Sequence, residues 1–278
     1  MLTAMLLAVL PAAAQDDLAE FGAADQETEK VEAPDTDLSA EVGGALVTGN
    51  AIYYSLNGSL AFAHKWQKNR FGMGAGANYS AGKADGDGNG TLSDAERAID
   101  NQELARKFFA DARYDRYLTE MDALYLWAGA LHDPFAGYDV RVHEQLGYAR
   151  TLVSNDTTKL GTEIGFDWAH EFFTEAQAEG TDFLEDSTTY ENVLAGRVGV
   201  AFSHAFNENV SFTDGVDAYV SVINPEDVRV LNTAALNTKL SDVFTLKLSN
   251  QLTFDNVPVE GFQKLDQATM ITFVASIF

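Results

Sequence analysis

No cysteine occurs in the 278 residues, which excludes a disulfide framework, a zinc–thiolate site and a thiol nucleophile. Basic side chains are scarce: 18 Lys and Arg stand against 42 Asp and Glu, a net charge of −24. A surface of that sign repels nucleic-acid phosphates, so no nucleic-acid partner is expected. Long apolar runs are missing as well. Nothing beyond residue 15 approaches the ~20 continuous apolar residues of a transmembrane helix. A bilayer-inserted chain of this composition must therefore cross with strands.

Residues 1–14 are expected to be a secretory signal peptide: Leu2 to Val9 is apolar, Pro11 breaks the run, and Ala12-Ala13-Ala14 offers a small-residue cleavage site. Its basic n-region is missing, which points to a true start upstream of Met1. Residues 15–36 hold eight acidic side chains and one Lys, with little that could pack, and read as an acidic disordered linker. Residues 37–278 read as one domain.

Within that domain the dominant signal is period two, the mark of strands with unlike faces. From Phe244 to Phe254 one face carries Phe244, Leu246, Leu248, Asn250, Leu252 and Phe254; the other carries Thr245, Lys247, Ser249, Gln251 and Thr253. Segments 159–168 and 53–62 repeat the pattern. Weaker versions occupy 38–48, 70–80, 138–148, 194–204, 210–222, 230–240 and 265–278, while 107–117 and 122–131 are blurred, both faces being partly apolar. Many of these segments reach ten residues, enough to cross a bilayer at a tilt. Aromatics near segment ends, such as Tyr54 and Phe62, Tyr138 and Tyr148, Phe244 and Phe254, suit interfacial girdles. Connections after even strands are tight and those after odd strands mostly long. The expected fold is all-β: a transmembrane antiparallel β-barrel of about twelve strands in the bacterial outer membrane, with short turns in the periplasm and long loops outside. Its partners would be outer-membrane lipid and lipopolysaccharide, and the barrel-assembly machinery that reads a carboxy-terminal strand ending in Phe278. A monomer is expected.

Residues 83–107 are expected to form an EF-hand-like insertion with a short helical part between strands 3 and 4. Asp85 to Glu96 fits the twelve-residue calcium loop: Asp85, Asp87 and Asn89 at positions 1, 3 and 5, and Gly90 at the sharp turn. Thr91 would give its carbonyl, Ser93 a water-bridged contact and Glu96 a bidentate carboxylate. One Ca²⁺ is thus the expected cofactor, held outside the cell, and Arg97 to Phe108 is expected to continue as the exiting helix. Without a paired EF-hand its affinity should be weak, roughly 10⁻⁴–10⁻³ M.

The chain resembles the YdiY-like family of salt-induced outer-membrane proteins, a family of unknown function. The resemblance lies in Glu41-Val42-Gly43-Gly44-Ala45-Leu46-Val47-Thr48-Gly49-Asn50, in Asp156-Thr157-Thr158-Lys159-Leu160 and in Phe202-Ser203-His204-Ala205-Phe206. It continues through Leu240-Ser241-Asp242 and Leu246-Lys247-Leu248-Ser249 and spans about 37–278, with the EF-hand segment as an insertion. It implies an outer-membrane barrel and brings no catalytic residue.

Three function classes follow. No catalytic residue is assigned and enzymatic activity is not expected, because none of His64, His132, His143, His170 and His204 sits in a His-x-Ser-Asn-Gly arrangement. A calcium-dependent lipid hydrolase is the remotest alternative. Inward parity places Arg141, Glu163, Asp167, Arg197, Asp217 and Lys247 in the lumen, and groups His143 with Asp139, Arg141 and Gln145. Lumenal charges of both signs suit a filled interior, so a structural or envelope-stress barrel stands ahead of a small-solute pore. The acidic loop Phe172–Glu191 would either gather further divalent cations near lipopolysaccharide or simply stay solvated.

Overall fold

The computed structural model describes residues 35–47, 53–83, 93–173, 190–258 and 264–277. Twelve strands close into one antiparallel barrel: β1 (Asp35–Val47), β2 (Tyr53–Trp66), β3 (Asn69–Gly82), β4 (Gln102–Tyr117), β5 (Asp122–Asp133), β6 (Tyr138–Ser154), β7 (Thr158–Phe173), β8 (Tyr190–Asn207), β9 (Val210–Ser221), β10 (Val228–Lys239), β11 (Phe244–Asp255) and β12 (Leu265–Ser276). Each strand pairs with its chain neighbours, and β12 returns to β1. The alternation expected from sequence governs which way side chains point. Leu56, Leu60, Leu126, Ile164, Phe166 and Ile271 face out and are more than half exposed, while alternate positions are buried in the lumen. An apolar exterior around a closed hydrogen-bonded ring is the arrangement a bilayer tolerates.

The connections divide as expected except after β5, where residues 134–137 are no longer than the turns at the other end. Those after β2, β4, β6, β8 and β10 are two to four residues long, whereas residues 83–101 separate β3 from β4 and residues 174–189 separate β7 from β8. Aromatic and histidine rings ring both ends. Trp168 lies 4.8 Å from His170, and Phe172 4.8 Å from Tyr190, at the end with long loops. At the other end His64 stacks on Trp66 at 5.4 Å and His204 meets Phe206 at 5.0 Å.

Several expectations need correction. The helix after the calcium-loop segment is short: α1 covers Asp94–Ala98, and β4 begins at Gln102. Residues from Glu103 onward are instead taken up by the ladder with β3, with Ala81 opposite Glu103 and Asn78 opposite Lys107. Strand pairing in a closed sheet overrides the local helical preference of Arg97 to Phe108. The linker reading of 15–36 runs two residues too far, because Asp35 and Thr36 pair with Lys65 and His64. At the far end β12 stops at Ser276, and Phe278 lies outside the described residues, as do 1–34 and the loop segment 174–189. A register shift between Tyr138 and Val140 breaks the parity of β6. Tyr138 therefore turns inward, buried at 8% exposure, and Asp139 turns out. Such bulges re-aim side chains by adding one residue to one strand. Tyr138 is thus no girdle residue, and Asp139 no member of the lumenal group.

The ring closes unevenly. β1 meets β12 over five residue pairs, Ser39 with Ser276 through Gly43 with Thr272, but meets β2 over its whole length from Asp35 to Val47. Among the described residues, Gly44–Val47 and Leu265–Ile271 each have a strand neighbour on one side. Lys247 on β11 reaches across the closed part to Glu41 on β1, 3.5 Å away.

Candidate functional site: a charged lumen and its outer cleft

Halfway along the barrel the lumen is crossed by a chain of charged side chains. Arg113 (β4) donates through Nη2 to Asp115 Oδ1 at 2.7 Å and to Glu163 Oε1 (β7) at 2.7 Å. Glu163 Oε2 also accepts from Arg197 Nη1 (β8) at 2.6 Å, and Arg197 Nη2 holds Asp217 Oδ1 (β9) at 2.6 Å. Arg70 on β3 lies 3.8 Å from Asp115 and extends the row. Three guanidinium groups thus meet three carboxylates, all at 5% exposure or less. Neutrality within the set is what permits such burial, since an unpaired charge there would lose its hydration without return.

Tyr125 (β5) fills the space beside this row. Its ring is completely buried, Arg113 Cζ sits 4.2 Å from the ring centroid, and its hydroxyl accepts from Arg197 Nη1 at 2.7 Å. The ring has room because the residues opposite lack side chains: a Cβ on Gly147 would overlap Tyr125, and one on Gly165 would come within 2.8 Å of the tyrosine hydroxyl. Trp127 and Phe109 lie over Gly129 and Gly76 in the same way. Large inward side chains facing glycines is how a narrow barrel fills its interior.

Above this layer, toward the long loops, a cleft of about 60 Å³ opens between β5–β6 and β9–β10. Trp127, Arg141, His143, Asp167, Tyr219 and Arg229 line it. His143 Nδ1 shares a hydrogen bond with Asp167 at 3.0 Å, and Gln145 donates to the same carboxylate at 2.9 Å. Glu171 bridges Arg141 and Arg229, each at 2.8 Å. Arg229 also holds Asp227 at 3.2 Å and Asp255 at 3.3 Å. Asp227 stands in the connection between β9 and β10, where burial and then the neighbouring Asp255 push its carboxyl up to about 6. At about 60 Å³ the cleft is well below the ~300–1,000 Å³ of small-molecule sites, and its charges are already spoken for by one another.

Of the residues assigned to the lumen from sequence, Glu163, Arg197 and Asp217 come together in the central row. Arg141, His143, Gln145 and Asp167 share the cleft, and Lys247 lies apart near the β1–β12 closure. Missed were Arg113, Asp115, Tyr125, Glu171 and Arg229. Asp111, Arg113 and Asp115 do share one parity in the sequence, but Phe109 and Tyr117 on the same face hide it. Of the calcium-loop residues, Asp85, Asp87, Asn89 and Thr91 lie outside the described residues, whereas Ser93 precedes α1 and Glu96 is within it. Lys83 Nζ donates to the Ile99 carbonyl and ties the two ends of this connection together.

The family model described as a protein of unknown function, DUF481, matches residues 40–277. The chain belongs to the DUF481 family. Among relatives of this DUF481 chain is an uncharacterized protein, YdiY, of Escherichia coli (strain K12), 26% identical over 176 residues, which are 63% of this chain and 61% of that protein. The match thus spans about three fifths of the relative's length. Among solved structures, an outer membrane channel from Pseudomonas putida F1 superposes with a TM-score of 0.48 at 12% identity, covering 91% of this chain and 98% of that one. The NanC porin superposes with a TM-score of 0.47 at 8% identity, over 86% and 97%. The DUF481 chain is an outer-membrane-type β-barrel by its own construction: a closed twelve-strand ring, apolar outside and charged within.

Proposed function

We propose that this DUF481 protein is a bacterial outer-membrane barrel whose lumen is closed, with a structural role in the envelope under stress rather than a conducting one. The observation that carries this reading is the central layer, in which Asp115, Arg113, Glu163, Arg197 and Asp217 join β4, β7, β8 and β9 across the lumen around Tyr125. An open pore would keep such charges on its wall with water between them. Reconstituted into planar bilayers, the wild-type protein is expected to give no stepwise conductance in molar salt. Regular single-channel steps from the unaltered protein would overturn the closed-lumen reading. They would favour a small-solute channel, for which the cleft lined by Trp127, Arg141 and Tyr219 would be the outer entrance.

The second part of the proposal is that residues 85–96 hold one Ca²⁺ outside the cell, through Asp85, Asp87, Asn89, Thr91, Ser93 and Glu96. The sequence fit supports it. So does α1, which starts at Asp94, the tenth position of the loop, close to where an exiting helix would begin. Extracellular calcium would fill even a site of roughly 10⁻⁴–10⁻³ M, and the ion would brace the connection between β3 and β4. Calorimetric titration of the detergent-refolded barrel is expected to show one saturable site. The site should vanish in the Asp85→Ala/Glu96→Ala variant, and no heat of binding up to ~10 mM calcium would reduce the segment to an acidic loop.

A further inference from the structure

The exterior is apolar at mid-span on most strands, as Leu126, Ile164, Phe166 and Val198 illustrate. On β9 to β12 it is not. Asp214, Asn232, Asn250 and Thr269 have the outward parity of Leu236, Leu248 and Ile271. With a rise of about 3.4 Å per residue and a tilt of about 40°, they sit roughly 10–18 Å above the periplasmic strand ends, within an apolar band ~25 Å tall. Glu144, another outward acid, is different: it stands opposite Trp168, level with the outer aromatic girdle.

The four residues form two bonded pairs. Asn232 Nδ2 donates to Asp214 Oδ1 at 2.7 Å and to the Gly215 carbonyl at 3.0 Å. Asn250 Nδ2 donates to Thr269 Oγ1 at 2.8 Å and to the Ala268 carbonyl at 3.3 Å. Asp214 Oδ2 and the two carboxamide oxygens have no hydrogen-bond partner among the described residues. Hydrocarbon supplies none, and a carboxylate facing lipid tails is unfavourable in proportion to its depth. A second observation points to the same side. The β1–β12 closure adjoins this face, and there Leu265–Ile271 has, among the described residues, no strand on its β1 side, and backbone groups left there a lipid layer cannot satisfy.

We propose that a second copy of the chain docks on the outward face of β9–β12, so that the polar row is buried between two barrels. The patch is self-complementary, carrying both carboxylate and carboxamide groups, and a twofold axis along the membrane normal presents each patch to its equivalent. Ala234 lies between Asp214 and Asn250 in one hydrogen-bonded row. As a small residue it lets the two sheets approach closely, as small residues do between packed membrane segments. Interfaces of this kind replace lipid by interprotein hydrogen bonds.

The absence of cysteine makes a direct test available. Ala234→Cys is introduced into the full chain, with Ala128→Cys on the outward face of β5 as the control, and native envelopes are oxidised. The expected result is a covalent product of twice the chain mass for Ala234→Cys and none for Ala128→Cys. No product at Ala234→Cys, equal products at both positions, or a product of another mass would each overturn the proposal. Adding Asp214→Leu and Asn250→Leu to the Ala234→Cys chain should abolish the product, while the heat-dependent gel shift of a folded barrel persists. If that shift is lost, Asn250→Val alone serves, with at least a tenfold drop in cross-linked product expected. Undiminished cross-linking in a folded variant counts against the polar row as the contact.

Discussion

Replacing Glu163 with alanine should lower the unfolding free energy by about 3–5 kcal/mol, the usual effect of removing one partner from a buried ion pair. Glu163 is the only carboxylate that receives hydrogen bonds from both Arg113 and Arg197 among the described residues. Without it the three guanidinium groups of the row, Arg70, Arg113 and Arg197, face two carboxylates, Asp115 and Asp217. The electrostatic imbalance would draw water into the layer or push the arginines toward the cleft. Urea unfolding from lipid vesicles, followed by tryptophan fluorescence, reads the change. A loss below about 1 kcal/mol, the scale of an exposed salt bridge, would mean that the row is solvated and does not close the lumen.

Tyr125→Ala should be comparably damaging, about 3–5 kcal/mol, because a large buried ring leaves a cavity that the barrel wall cannot collapse to fill. The strands on either side are fixed by their ladders, and the facing residues Gly147 and Gly165 have no side chains to advance into the space. Tyr125→Phe separates the two contributions. It keeps the ring between Arg113 and the glycines but removes the hydroxyl that accepts from Arg197. That should cost about 1.5–3 kcal/mol, typical for a hydrogen bond to a charged group. Equal damage from alanine and phenylalanine would show that the hydroxyl, and not the packed ring, carries the contribution.

The strands could be read from the sequence because a membrane barrel enforces the simplest of patterns. Every alternate side chain meets lipid, and the run from Phe244 to Phe254 states that almost without exception. The difficulty at β4 and β5 had a physical source: Phe109, Ala123, Tyr125 and Trp127 are buried yet face the lumen, where Phe109, Tyr125 and Trp127 fill space over glycines. Both faces then look dry, and the parity of Arg113 and Asp115 is masked. Bulges were equally hidden, since one extra residue near Tyr138 inverts the assignment of Asp139 without altering composition. Parity could name lumenal charges such as Glu163 and Arg197, but not their pairing across the barrel, which depends on strand tilt and register. Asn250 stands alone as a polar residue on its apolar face in the sequence, and only the register of β9 to β12 brings it into line with Asp214.

The short union of β1 with β12 bears on how the chain folds. Each other strand contact joins neighbours in the chain, so eleven of the twelve can form as successive hairpins with little loop-closure entropy. The last brings Ser39 to Ser276, nearly the full length of the domain, and contacts of such separation are the slow ones. Closure must therefore wait for the carboxy-terminal strand. Until then β1 and β12 each keep one open edge. Because few residue pairs lock the ends together, this joint is also where a folded barrel should begin to come apart.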